Sequence, residues 1–404
     1  MDKVFTANLS QAQSTPQPQT NPKMALRLLW YTLWLVLMAI GIGGNWDALW
    51  HATQPFDGFW SPPHIFVYVT CTLAGSVLIA MTFIPAIRES FGQGFKVIGL
   101  PFKVPGALFL IGGSMALVGF AGMVIDNFWH SSFGLNETGW SFPHAMIGWS
   151  IFGLTLGFTA CRLTLRHYKP LRWYVILVLG FLFISGTARP IMGVYHANHT
   201  PATAQLIAEI PVLKASPDFQ HTTRITLKYN LTRENPVLIL LAALWGGAVL
   251  AFLRRLDSRW WLILLPVLFY SLMDNQRTRI ESISQVFPQF NDPRNYLDIP
   301  LFLPTVLFLL LLRFKVPERW AYVSAGLLFG LMIYGIWATD RTAFLLVPLA
   351  APLMLVGKKF GEMLWDIVEK PYTTRKVISV QLLIIIVPCI TGMLDLYMRF
   401  TTPY

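Results

Sequence analysis

Charge is what this sequence has least of. Asp, Glu, Lys and Arg make up 13% of its 404 residues, against roughly a quarter in soluble domains. A water-soluble globule is excluded on that ground, because long stretches without ionisable groups give water no surface to solvate. Cysteine is nearly absent as well. Cys71, Cys161 and Cys389 lie within or at the ends of apolar runs, and no two are spaced as a redox pair or a zinc motif. That excludes a disulfide-stapled scaffold. Acidic residues number 20 against 31 basic ones, and the formal charge of +11 falls in short clusters between apolar runs, which calls for no nucleic acid. No signal-peptide pattern opens the chain, since the polar stretch 1–23 stands before the first apolar run. Rich in Gln, Thr and Pro, residues 1–25 are expected to form a disordered cytoplasmic tail.

What is present is apolar length. Residues are 54% hydrophobic, and apolar segments fall near 26–46, 64–86, 104–125, 144–163, 172–194, 235–253, 260–273, 298–313, 320–338, 342–357 and 377–397. Most approach the ~20 residues that cross a bilayer as helix. The expected fold class is all-α: a polytopic helical membrane protein with about eleven transmembrane helices. An N-terminus on the inside places 21 of the 31 basic residues in inside loops, as the positive-inside rule asks. The expected location is a bacterial inner or cell membrane. Few ionisable residues sit mid-helix, which argues against ion-coupled transport, whose sites lie near the midplane.

The polar residues that do occur are patterned. Asp47, Trp50 and His51 are followed by Trp60, Ser61, Pro62 and His64; Asp126, Trp129 and His130 are followed by Trp140, Ser141, Pro143 and His144. Both copies read Asp-x-x-Trp-His, a short polar stretch, then Trp-Ser-x-Pro-His or its equivalent. The paired histidines are thirteen apart in the first copy and fourteen in the second, and together they are half of the chain's eight histidines. Shared order and spacing indicate an internal repeat, hence duplicated N-terminal helical hairpins. Asp and His four apart share a helix face. Ser61 and Ser141 are expected to cap the next helix, with proline in its first turn and His64 or His144 beside it. In this topology both repeat loops lie on the outer face.

Two imidazoles and a carboxylate per copy form a metal-ligand set, so Asp47, His51, His64, Asp126, His130 and His144 are the candidate metal ligands. Copper suits the set, and iron or zinc fits it too. The six residues could serve one dinuclear site or two mononuclear ones. The competing reading is that Asp and His hydrogen-bond across each hairpin while the tryptophans anchor it at the membrane surface. Proline and glycine between the paired histidines argue against two haems on one spanning helix. His196 and His199 are further candidate ligands, with Asp57 and Glu137 as outer-shell or acid groups.

The rest divides simply. Residues 26–194 form the duplicated hairpin domain with a fifth helix, which kinks or exits at Pro190. Residues 195–234 form an outer-face loop in which the alternation over 221–229 reads as an exposed strand. Residues 235–404 form a C-terminal transmembrane scaffold bundle with a second outer loop over 274–296, and the last three spans read as packing.

The first copy resembles the metal-binding stretch of the C subunit of the copper membrane monooxygenases, which oxidise methane or ammonia. Asp47, His51 and His64 match that family's ligand spacing, and Trp50, Asp57 and Pro62 match its usual companions. The resemblance implies a copper site, oxygen as co-substrate, quinol or another reductant, and a small apolar substrate arriving through the bilayer. The function this resemblance implies is that of an integral membrane metal-dependent oxidoreductase, a copper monooxygenase-like hydroxylase of a small or apolar substrate. The alternative is a non-catalytic metal-, pigment- or quinone-binding subunit of a larger membrane complex. Membrane lipid and partner subunits are the expected partners.

Overall fold

The computed structural model describes residues 20–53, 60–133, 141–193, 201–215, 217–283, 300–337, 341–371 and 374–403. Helix α1 (Pro22–Met38) starts inside the stretch expected to be a tail. Asn21 accepts a hydrogen bond from the Met24 N–H at 3.1 Å, and Pro22 occupies the first helical position, where its missing N–H costs nothing. The helix does not stop at its glycines. Its backbone widens into a π-helical turn at Ala39–Gly43 and continues as α2 (Gly44–Thr53). Of these glycines only Gly43 is a close approach: a Cβ there would lie 2.5 Å from Val67 Cγ2, whereas Gly41 and Gly44 face open space.

Helix α3 (Pro62–Phe83) returns antiparallel against α1. A short α4 (Pro85–Arg88) and a two-stranded ribbon, β1 (Gly94–Lys96) with β2 (Lys103–Pro105), lead into α5 (Gly106–Phe120). This second hairpin repeats the device of the first. A π-helical turn at Ala121–Ile125 passes α5 into α6 (Asp126–Phe133), and α7 (Phe142–Thr164) returns. Helix α8 (Trp173–Met192) runs through Pro190 and stops at Gly193, whose φ of 57° only glycine adopts freely.

The expected outer loop is helical where it is described. It forms α9 (Pro201–Ala208), α10 (Pro211–Lys214) and α11 (Pro217–Lys228). The expected strand over 221–229 is therefore wrong. Phe219, Thr222, Ile225 and Thr226 are buried at helical spacing, and Pro217 with Asp218 in the first turn starts the helix. Alternating Thr and Ile side chains imitate a strand over a window that short.

Helices α12 (Val237–Leu256), α13 (Trp260–Ile283), α14 (Phe302–Arg313), α15 (Glu318–Trp337), α16 (Val347–Glu369) and α17 (Thr374–Thr401) complete the bundle. The second outer loop begins later than expected, since α13 stays helical through Ile283. Helices α12 and α16 approach so closely that a Cβ on Gly357 would lie 1.9 Å from the Leu244 carbonyl oxygen, and one on Gly361 2.3 Å from that of Ala248. Small residues four apart permit that approach, which in lipid replaces the hydrophobic effect as the source of helix association. One buried cluster spans both halves of the chain, with Phe183 stacked on Phe252 at 3.6 Å and the Trp245 indole donating to Thr187 Oγ1 at 2.9 Å.

Among the described residues, eight helices are long and apolar enough to cross a membrane, rather than the eleven expected. The other three expected spans appear as shorter apolar helices, Gly106–Phe120, Trp260–Met273 and Phe302–Arg313. The protein is thus an all-α, polytopic membrane protein. Its two ends differ. At one end lie Arg88, the Arg254–Glu318 pair at 3.1 Å, the Lys358–Glu318 pair at 3.2 Å and the Arg166–Glu369 pair at 3.6 Å. Asn21 is there too, its N–H donating to the Ala86 carbonyl at 2.8 Å. At the opposite end lie both repeats and the C-terminus of α17, against which α11 docks: His221 Nε2 is 2.7 Å from the Thr402 carbonyl oxygen. Asn21 and Thr402 thus lie at opposite ends of the bundle.

Candidate metal centre at the repeated hairpins

In the first copy, Asp47 lies in the first turn of α2 and His64 is the third residue of α3. Ser61 takes the extended backbone of an N-cap, and its carbonyl accepts the first helical hydrogen bond, from Ile65 at 3.0 Å. Its hydroxyl makes no capping bond, which corrects the expected side-chain cap. Pro63, at the second helical position, lacks one of the two N–H groups such a cap would bind. His64 Nε2 lies 2.9 Å from Asp47 Oδ1, with the two side chains 11% and 22% exposed. That separation brings imidazole and carboxylate into ion-pair contact. It is also the spacing of two neighbouring ligands on one ion, since metal bonds of about 2.0–2.2 Å at roughly a right angle put donor atoms about 3 Å apart. His51 lies one turn beyond Asp47 on the same helix, and its side chain is outside the described residues.

The second copy repeats the backbone and changes the surroundings. Asp126 opens α6 and is buried, and His144 is again the third residue of its helix. Ser141 also lacks a capping bond; its hydroxyl lies 3.0 Å from His144 Nδ1 instead, which leaves the other ring nitrogen pointing elsewhere. Trp129 is buried between Phe133 at 4.7 Å and Phe142 at 6.3 Å. Helix α17 closes over this group. The Arg399 guanidinium stands 5.8 Å from the Trp129 ring centroid and 5.7 Å from that of Phe133, within cation–π range. Arg399 Nε is 3.2 Å from each carboxylate oxygen of Asp395, and both residues are buried.

No protein-family model matches this chain, and comparison with characterised proteins and with solved structures finds no significant match. What the hairpins do must therefore be argued from their own residues.

Of the six candidate ligands, Asp47 and His64 meet directly, Asp126 and His144 sit at matching places in the second hairpin, and the His51 and His130 side chains lie outside the described residues. Among the described residues no three His, Cys, Asp or Glu side chains converge as a metal site. His196, His199, Asp57 and Glu137 lie outside them. Sequence reasoning missed Asp395 with Arg399, having read the last spans as packing. The signal was available: an acid and a base four apart inside an apolar run face each other on a helix. The cap adds a second link at this end, since the Tyr229 hydroxyl lies 2.6 Å from Thr401 Oγ1, and that hydrogen bond pulls the phenol below its ordinary pKa.

Proposed function

We propose that the first hairpin is the metal centre of an integral membrane oxidoreductase, with Asp47, His51 and His64 as ligands and the second hairpin as its structural counterpart. The observation that carries this is the Asp47–His64 approach of 2.9 Å across two helices. A carboxylate oxygen and an imidazole nitrogen held that close suit copper, with iron or zinc also fitting the donor set. Bound there, copper would supply oxygen activation toward a small apolar substrate, with quinol or another reductant as electron source. The chain's own part is to hold the ligands. The start of α3 fixes His64, and the carboxylate of Asp47 keeps its Nε2 directed across the hairpin. The outward face of α3, where Ile65, Val69 and Leu73 are exposed, gives an apolar substrate a lateral approach from lipid. We also infer that all eleven expected spans cross, with the N-terminus cytoplasmic; the three shorter apolar helices would supply the spans beyond the eight long ones.

Metal analysis of purified protein tests the proposal. Wild-type protein is expected to retain about one copper; His64→Ala and His51→Ala should each lose it, and His144→Ala and His130→Ala should keep it. Metal retained equally by all four variants would sink the assignment. A second reading, a non-catalytic subunit of a larger membrane complex, is favoured by the sealed and ion-paired second hairpin. Stoichiometric partners that persist through purification of His64→Ala would support it.

A further inference from the structure

At the basic end, far from both repeats, a cleft of 540 Å³ opens between α4 and the ribbon, lined by Arg88, Glu89, Gln93 and Lys103. Arg88 is mostly buried and held from two sides. Its Nη1 donates to the Thr82 carbonyl at 3.1 Å, and its guanidinium carbon lies 4.2 Å from the Phe102 ring centroid. Glu89 Oε1 is 3.7 Å from Arg88 Nη2, too long for a hydrogen bond, so the guanidinium is fixed in place without being fully matched.

The ribbon supplies the second observation. Its register sets Lys96 directly opposite Lys103, both exposed. Like charges facing each other across two strands are destabilising, unless an anion sits between them. Two glycines line the cleft, and each is held by its backbone. Gly92 has a φ of 89°, and a Cβ on Gly94 would lie 2.6 Å from the Val104 carbonyl carbon.

We propose that this cleft binds phosphate, and that its position at the ends of apolar helices suits the phosphodiester of a phospholipid headgroup. Arg88 offers a planar fork that matches phosphate oxygens, Lys96 and Lys103 add mobile charge, and Glu89 faces the amine of an ethanolamine headgroup. The proposal does not depend on the metal centre.

The test uses the full chain in vesicles of phosphatidylethanolamine or phosphatidylglycerol, followed by native mass spectrometry of retained lipid. Wild-type protein is expected to hold one phospholipid, with phosphatidylethanolamine preferred. K96Q/K103Q should hold it roughly 30-fold more weakly, as two lysines at about 1 kcal/mol each imply. E89Q should shift the preference toward phosphatidylglycerol. R88Q should also lose lipid, and the double lysine variant, whose side chains are exposed, keeps the test valid if R88Q fails to fold. Titration of delipidated protein with inorganic phosphate separates the two sources: phosphate binding that vanishes in K96Q/K103Q, with no phospholipid retained by wild-type protein, assigns the site to free phosphate. Lipid retention unchanged in K96Q/K103Q, together with no phosphate binding, would overturn the proposal.

Discussion

The two hairpins carry the same residues in the same order and live in different places. Each runs through a π-helical turn before its aspartate, and each restarts at a serine with proline second and histidine third in the new helix. π-helical turns inside α-helices recur at functional sites, and here they aim the aspartate of each copy. The neighbours then diverge. Helix α3 shows Ile65, Val69, Leu73 and Phe83 at the surface, whereas α7 is packed among α5, α8, α16 and α17 with Phe152, Leu156 and Ala160 fully buried. The motif sets the geometry of a helix start; the elements packed around it decide what that geometry can meet. The first hairpin keeps its acid–imidazole pair beside a lipid-facing helix, and the second is enclosed by its neighbours.

The sharpest way to break that comparison is to unpair the residues that enclose the second hairpin. Arg399→Leu leaves Asp395 buried without its partner, an arrangement that costs about 3–5 kcal/mol. Thermal unfolding in detergent should show the loss, and Asp395→Leu should show a similar one. The double substitution to apolar residues of matching volume should recover most of the stability, because well-packed apolar groups often replace a buried ion pair without penalty. His64→Ala, in the open hairpin, should leave the unfolding temperature far less changed. If removing His64 destabilised the fold as much as removing Arg399, the division into open and enclosed hairpins would fail.

A smaller effect tests how closely each hairpin is held. A Cβ on Gly392 would lie 2.8 Å or less from the ring and Cβ of Phe142, atoms fixed at the start of α7. Gly392→Ala must push α17 off the second hairpin, at about 1–3 kcal/mol. Gly43→Ala meets chiefly the methyl tip of Val67 at 2.5 Å, which can rotate away. It should therefore lose less stability, and a larger loss at Gly43 would reverse the order of rigidity argued here.

The sequence made the class of fold readable because apolar length and the clustering of Lys and Arg survive any packing arrangement. It made Asp47 and His64 readable as partners because proline after Ser61 marks a helix start and two antiparallel helices must bring their adjacent ends together. Other features left no such trace. A π-helical turn adds one residue to a helix and has no composition of its own, so nothing in the sequence marks the turns at Ala39–Gly43 and Ala121–Ile125. Thr222–Thr226 could be taken for a strand because β-branched residues serve both structures, and the burial that decides between them comes from docking on α17. The enclosure of the second hairpin depends on Gly392 and Arg399, more than two hundred residues from Asp126. No local pattern announces a contact across that distance.

The smallest effect bears most directly on the motif itself. Ser61 and Ser141 are the same residue at the same place in each copy, yet their hydroxyls differ in use. Ser141 Oγ lies 3.0 Å from His144 Nδ1, while Ser61 Oγ has no hydrogen-bond partner among the described residues. A buried hydrogen bond of this kind contributes about 1 kcal/mol. Ser141→Ala should lower stability by about that amount, and Ser61→Ala should be close to neutral, because the Ser61 hydroxyl makes no capping bond to lose. Equal losses would mean that Ser61 orients His64 just as Ser141 orients His144. The two copies would then be matched down to their serines, and the case for one open metal centre and one enclosed hairpin would rest on α17 alone.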